Sequence, residues 1–445
     1  MAGQLIFTLY TVVDGIFVAR GVSETALAAV SIATPFVTLL FAISITFAVG
    51  TSTIVARLLG ENRTMEARRV FTESLVSLVL LSIVISVLVF IFLNPLCRLL
   101  GATESTLPYV RSYLLTIAPF IFSFVISYNL ELLLATDGFP GLATIYVLLG
   151  VILNILLDWY TIFKLNWGIV GAGLATSFSQ TVVIIIYLIH FAGRKATLRF
   201  TRFKFRRGLM LRQFMNGIPS GITEMSPGIV TFIFNRFIVT FMHDRELIIY
   251  SILSYVILLA TVLANGIAQG AQPLVSYYHG RHEKDTFHTI FGYEIRSGLI
   301  LAVLEIVVIL SFGKYIAMLF VNDGDALILE VSHALKLIAM AFPMLSMNII
   351  IAGYLTALER SRVAAFISLM RCTLTLVLSL ALIATMLGTS NIWLSLAVSE
   401  MLSMIAAVLL YRKTRRVAIA ETFDDMQIVH CINLVQCVYL LYYRC

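Results

Sequence analysis

Uninterrupted apolar runs, most of them at least roughly 18 to 25 residues long, recur from one end of this chain to the other. At about 1.5 Å of helix rise per residue, each is long enough to cross about 30 Å of hydrocarbon. With 60% hydrophobic and only 12% charged residues, the chain carries more apolar surface than a soluble core absorbs. Strands of a membrane barrel would be about ten residues long and would alternate apolar with polar positions, a pattern the sequence lacks. The chain therefore reads as an all-α integral membrane protein whose first partner is the lipid bilayer.

Twelve transmembrane helices are expected, at about 4–19, 27–49, 70–93, 109–135, 141–163, 168–192, 214–241, 247–278, 291–312, 327–357, 363–387 and 392–411. The formal charge of +7 might suggest nucleic acid, but the charges fall in the breaks between runs and mark topology instead. Counting from a cytoplasmic N-terminus, the even breaks hold Arg57, Arg63, Arg68 and Arg69, then eight basic and no acidic residues from Arg194 to Arg212, then Arg281 and Lys284, then Arg360 and Arg362. The odd breaks hold isolated charges such as Arg20, Arg98, Lys164 and Arg245. That bias puts both termini in the cytoplasm and the protein in the cytoplasmic membrane. The five Cys form no CxxC pair and have no His at metal spacing, so neither a disulfide nor a metal is inferred from them.

The basic break also divides the chain into halves that repeat. A shift of 220 residues sets Ala48, Gly50, Val55, Gly60 and Phe71 on Ala268, Gly270, Val275, Gly280 and Phe291. With six spans each, both halves enter the membrane from the same side, so they form parallel repeats about a pseudo-two-fold axis normal to the bilayer. The expected organisation is an N-terminal six-helix bundle at 1–192, a basic linker at 193–213, a C-terminal six-helix bundle at 214–411 and a tail at 412–445, with a cavity between the bundles. Only thirteen residues precede Asp14, which makes the first span short, and the apolar stretch Met426 to Tyr443 is broken by His430, Asn433 and Gln436. That stretch reads as an interfacial helix or as sequence foreign to the fold.

A carboxylate inside hydrocarbon costs several kcal/mol unless it finds a partner, a proton or water, so the intramembrane acids are the short list for function. Asp14 and Asp158 each lie about five residues from the outer end of their spans, roughly 7–8 Å below the boundary, and Thr176 lies about 12 Å below it. Asn154 is one turn from Asp158 on the same helix face. Two carboxylates, an amide oxygen and a hydroxyl form an all-oxygen set that suits Na⁺ or a proton shared between acids. The competing reading is that each Asp merely marks a helix end. Glu224 lies near mid-membrane between Pro219 and Pro227, either facing a cavity or bonded to Ser220 or Thr223. Asn265, Gln269 and Gln272 share one face of the eighth span, as cavity lining or as helix-to-helix glue. For Glu131, near a helix end, and for the isolated Glu305 and Glu400, structural and functional roles stand level.

These residues resemble a known family. Val13-Asp14-Gly15-Ile16-Phe17-Val18-Ala19-Arg20 with Ala26-Leu27-Ala28-Ala29-Val30, Gly60-Glu61, and Asn154-x-x-x-Asp158 followed by Gly168-Ile169-Val170-Gly171-Ala172-Gly173 and Ala175-Thr176 are similar to segments of the multidrug and toxic compound extrusion (MATE) transporters. The resemblance covers about residues 5–415 and implies a two-lobed, twelve-helix secondary antiporter that is no enzyme. It would act as a monomer, with no cofactor beyond its coupling ion. Such a protein exports organic cations or drugs in exchange for Na⁺ or H⁺ by alternating access. Carried over by position, Asp14, Asn154, Asp158 and Thr176 fall on the cation or proton site of the N-terminal lobe, and Glu224 is the approximate counterpart of a Glu that some members use. The family's chains are longer before Asp14 and do not usually end as 417–445 does, so a truncated, non-functional copy is one alternative. A lipid-linked oligosaccharide flippase is another, although Arg111, Arg236, Lys336 and Arg371 are few cations for its cavity. An intramembrane transferase would need clustered acids or a His–acid pair at a membrane face, and the breaks hold none.

Overall fold

The computed structural model describes residues 17, 22 and 24–411, except 101, 103, 105, 243 and 321–324. The first apolar run with Asp14, and the tail at 412–445, lie outside the described residues. Within them the chain is helical, and no strand occurs. The N-terminal half contributes α1 (Glu24–Gly60), α2 (Thr64–Ile91), the short α3 (Leu93–Leu99), α4 (Leu107–Ile117), α5 (Ile121–Thr136), α6 (Pro140–Asp158) and α7 (Gly168–Ala192). The C-terminal half contributes α8 (Arg207–Phe241), α9 (Asp244–Gly280), α10 (Lys284–Phe320), α11 (Asp325–Ala339), α12 (Phe342–Ala357), α13 (Ser361–Cys372), α14 (Leu374–Met386) and α15 (Leu394–Tyr411).

Several of these helices join into single spans. α4 continues through a short tight turn into α5, α13 continues into α14, and α11 meets α12 at a 42° bend. Nine helices among the described residues are long and apolar enough to cross a membrane, and the bent pair makes ten. α8 is longer than most, yet Arg212, Asn216, Glu224 and Arg236 dilute its apolar character. It also starts at Arg207, inside the segment expected to be linker, because a helix extends past its apolar run once its polar residues reach the interface. Leu80, Ile83, Val84, Val87 and Leu88 on α2, with Val303, Leu304, Val307 and Val308 on α10, turn outward as a lipid-facing belt.

Each half closes around its own apolar core. One cluster draws its fully buried members from Ala29 to Leu198, the other from Val230 to Ala397, and no residue belongs to both. The halves repeat in backbone as well as in sequence. α1 and α9 have equal length and stand 220 residues apart, and each ends in the same turn. Asn62 and His282 take positive φ there, both at 60°, and the hydrogen bonds Arg63 N to Leu58 O and Glu283 N to Tyr278 O close the two turns alike. The spans run in one order and one direction in both halves, giving two parallel bundles.

The bundles meet where the second half of α1 crosses α8 and α9. A Cβ on Gly217 would fall 1.6 Å from the carbonyl oxygen of Thr46, and one on Gly50 would fall 1.8 Å from that of Gln213. A reciprocal pair lies further along: Gly60 against the Tyr277 carbonyl at 2.0 Å and Gly280 against the Arg57 carbonyl at 2.1 Å. Only glycine permits such backbone contact. Gln272 donates from Nε2 to Thr53 Oγ1 at 2.8 Å and Gln269 accepts from Tyr128, so two residues of the polar stripe on α9 tie the lobes together. At the rim, Glu359 accepts from Arg57 of the other lobe at 2.8 Å and from Arg212 of its own.

Glu359 sits at φ 57°, in the turn position that Gly138 fills in the first half. A left-handed conformation costs a non-glycine residue roughly 1–2 kcal/mol. The carboxylate shared by two guanidiniums is what a glycine there would forfeit. The linker itself is strapped to the N-terminal bundle: Asp137 accepts from the Thr197 and Leu198 N–H groups at 3.0 and 2.9 Å, Arg68 donates to Thr197 O at 2.7 Å, and Glu73 accepts from Arg206 N at 2.7 Å.

Two predictions follow from this face. Gly217→Ala lowers the melting temperature of the solubilised protein because its methyl has no space. Gly228→Ala, on the same helix with nothing within 4 Å, raises it slightly through helix propensity worth about 1 kcal/mol. Equal shifts would refute tight packing at Gly217. In a background free of other cysteines, Glu359→Gln raises the labelling rate of Gln213→Cys by a water-soluble thiol reagent several-fold, since Gln213 is buried under the ion pairs; an unchanged rate would show that they do not hold the face closed.

Candidate functional site

A cavity of about 320 Å³ is lined mainly by the N-terminal lobe, by residues of α1, α4, α5, α6 and α7, and is bordered on the C-terminal side by Glu224 of α8 and by Val262 and Asn265 of α9. Its polar groups are two carboxyl groups, Glu131 and Glu224, the amides of Asn154, Gln180 and Asn265, and several hydroxyls. No Lys, Arg or His is among the described lining residues. Tyr113, Phe124 and Tyr128 supply aromatic wall.

Packing at the N-terminal side of the cavity explains the glycine-rich entry into α7. Gly168 takes φ +57°, and a Cβ on Gly171 would come within 3.0 Å of Thr161, in the π-helical turn Trp159–Lys164 that follows Asp158. A Cβ on Gly173 would meet Thr116 of α4 at the same distance. The small residues let α7 lie close to α4 and to the end of α6, which brings Thr176 to Asn154. Asn154 Nδ2 donates to Thr176 Oγ1 in a long hydrogen bond of 3.4 Å, and both side chains line the cavity. The Asn154 Oδ1 has no hydrogen-bond partner among the described residues, although the residue is only 2% exposed. Asp158, 1% exposed, lies one turn along α6 and is not part of the cavity wall. Of the four residues expected to bind a cation, Asn154 and Thr176 are therefore in contact, Asp158 is buried on the same helix, and Asp14 lies outside the described residues.

The C-terminal candidates divide. Glu224 and Asn265 line the cavity, whereas Gln269 and Gln272 bond across the lobe interface. Thr223 does not hold Glu224: its hydroxyl donates to Pro219 O at 2.8 Å and pairs with Ser368 at 3.1 Å. α8 stays helical through both prolines. Glu131, which sequence reasoning left between structural and functional roles, proves to face the cavity. A signal for it exists in the chain, since Phe124, Ser127, Tyr128 and Glu131 follow helical spacing and all line the same wall.

A family model described as MatE matches residues 1–160 and 219–381. The chain belongs to the MatE family. It is thus a membrane transporter and not an enzyme. Multidrug export protein MepA of Staphylococcus haemolyticus is 25% identical over 424 residues, which cover 94% of this chain and 92% of that protein. MepA of Staphylococcus saprophyticus is 23% identical over 92% of this chain and 90% of its own. Among solved structures, an outward-facing MATE family transporter of the MOP superfamily aligns with a TM-score of 0.86 at 22% identity, covering 95% of this chain and 94% of that one. The Vibrio cholerae MATE transporter VcmN aligns with 0.85 at 19% identity, over 94% of both. These likenesses give the MatE chain the twelve-helix, two-bundle fold.

The MatE chain is not symmetric in its interior. Counted from their helix starts, Arg371 in α13 holds the place of Gly150 in α6, and Asn348 in α12 holds that of Ser127 in α5. Gly150 and Ser127 border the cavity. Their counterparts fill the equivalent space: Arg371 reaches Glu400 at 3.4 Å and Ser226 at 3.2 Å, and Asn348 donates to the Glu400 carboxylate at 2.7 Å. Glu400, isolated in sequence, is thus paired inside the C-terminal bundle. Removing one partner of a buried ion pair typically costs about 3–5 kcal/mol, whereas replacing both with apolar residues is close to neutral. Arg371→Ala should therefore lower the melting temperature markedly, and Arg371→Met with Glu400→Leu should recover most of it; equal losses in both variants would contradict a self-compensating pair.

Proposed function

We propose that the protein is a secondary antiporter that exports organic cations or drugs across the cytoplasmic membrane in exchange for Na⁺ or H⁺. The observation that carries this reading is a cavity bordered by both lobes with two acids, no basic residue among its described lining, and the Asn154–Thr176 pair in its wall. A lining of that chemistry favours cations over anions. The relatives' export of multiple drugs, as their names state it, agrees with a cavity of mixed aromatic and polar walls.

The coupling ion is assigned to Asp14, Asn154, Asp158 and Thr176. Phe17, three residues beyond Asp14, packs edge-on to Phe163 with ring centroids 5.7 Å apart. An ion or proton on these oxygens would neutralise two acids that repel each other when both are charged, and its loss would favour rearrangement of the helices that bear them. The lobes are sealed at the face bearing Arg57, Arg212 and Arg360. With that face in the cytoplasm, as the basic bias indicates, and with both termini on the same side, the cavity belongs to a state closed to the cell interior. The transporter is taken to work as a monomer, because each chain holds both lobes of the cavity.

Dye efflux tests the site. Cells expressing Asp14→Asn or Asp158→Asn should extrude ethidium at least tenfold more slowly than wild type with equal protein in the membrane; undiminished efflux in both would remove the coupling assignment. In proteoliposomes, a Na⁺ gradient alone or a pH gradient alone should drive uptake of the dye, and the one that does names the ion. Failure of both gradients would exclude cation-coupled antiport.

A further inference from the structure

The cavity holds two carboxyl groups that the coupling site does not use. Glu131 comes from α5 of the N-terminal lobe and Glu224 from α8 of the C-terminal lobe, and both line the same space. Neither makes a hydrogen bond or ion pair with any described residue, in contrast to Glu400, Glu359 and Glu73, whose carboxylates all have partners. Two carboxyl groups line one cavity that has no Lys, Arg or His among its described lining residues, so a cargo with a single positive group meets one of them and a cargo with two can meet both. Asn154, almost fully buried, lines the same cavity, and its unpartnered Oδ1 is a further acceptor there. Phe124 and Tyr128 stand on the helix face that carries Glu131, where aromatic rings favour a cation and a flat apolar body together.

We propose that Glu131 and Glu224 form a two-carboxylate cargo site that spans the lobes and prefers amphipathic dications to monocations. This deepens the export reading and rests on it. One acid from each lobe means that a dication bridges the two bundles and that their separation divides its two contacts. Asp158, which is not part of the cavity wall, stays outside this cargo site.

The test uses the purified full-length protein and two dyes built on one ring system: ethidium, with one positive charge, and propidium, with a second, quaternary ammonium. Fluorescence polarisation should show propidium bound at least tenfold more tightly than ethidium by wild type. Glu131→Gln and Glu224→Gln should each weaken propidium at least tenfold and bring the ratio of the two affinities close to one, while Glu131→Asp keeps the preference. Melting temperatures of the variants identify any that fail to fold, and Glu224→Gln and Glu131→Asp then decide the matter without Glu131→Gln. A wild-type ratio near one, or a ratio unchanged in Glu131→Gln, overturns the proposal. If either occurs while wild type still exports ethidium, only the two-carboxylate site falls and the export reading stands. If wild type neither binds nor exports either dye, the export reading fails and this site with it.

Discussion

Backbone-to-backbone contact between α1 and the pair α8 and α9 is the constraint on which the rest of the structure depends. At Thr46–Gly217, Gln213–Gly50, Arg57–Gly280 and Tyr277–Gly60 the helices approach until a carbonyl oxygen occupies the space a Cβ would need. Lipid chains are as apolar as leucine, so there is little hydrophobic drive to join two bundles inside a membrane, and close van der Waals packing must do it. Glycines supply that closeness along one half of α1 only. The other half of α1 lines the cavity. The seal at one face and one wall of the cavity are therefore built on the same helix.

Polar groups reinforce the seal without creating it. Gln272 with Thr53 and Gln269 with Tyr128 are hydrogen bonds between lobes, and Arg57, Arg212 and Glu359 form an ion-pair cluster at the rim. Such contacts are specific to one arrangement of the lobes and individually modest, since exposed ion pairs are worth at most about 1 kcal/mol. Glu359 shows the compromise at a single residue: it keeps a left-handed backbone that its counterpart Gly138 adopts freely, and in return its carboxylate meets an arginine of each lobe.

Duplication provides the scaffold, and divergence inside the bundles provides the site. The turns after α1 and α9 match in their hydrogen bonds, yet the interiors differ where Arg371 and Asn348 replace Gly150 and Ser127. A guanidinium held by Glu400 takes up in one lobe the space that is open in the other. The C-terminal bundle carries its positive charge as a fixed part of its core. The N-terminal bundle leaves that space open, and Gly150 and Ser127 border its cavity.

Much of this was legible in the sequence. Apolar run length dictates helices that cross a membrane, because unpaired backbone groups in lipid leave few alternatives. The 220-residue shift, read from five matched residues, is the spacing of α1 and α9. Depth set Thr176 near the level of Asp158, and helical spacing set Asn154 one turn from Asp158; the Asn154–Thr176 contact itself comes from the structure. Tertiary structure decided the rest. Depth along a helix does not say which way a side chain faces a neighbouring bundle. Sequence could not separate Glu224, which borders the cavity, from Glu400, which is locked to Arg371, and although Glu131 shares a helix face with Phe124, Ser127 and Tyr128, it could not say that this face lines a cavity. It left Asn265, Gln269 and Gln272 as one stripe, although the first lines the cavity and the other two join the lobes. Those distinctions arise from contacts between residues far apart in the chain, and only the packing of one lobe against the other determines them.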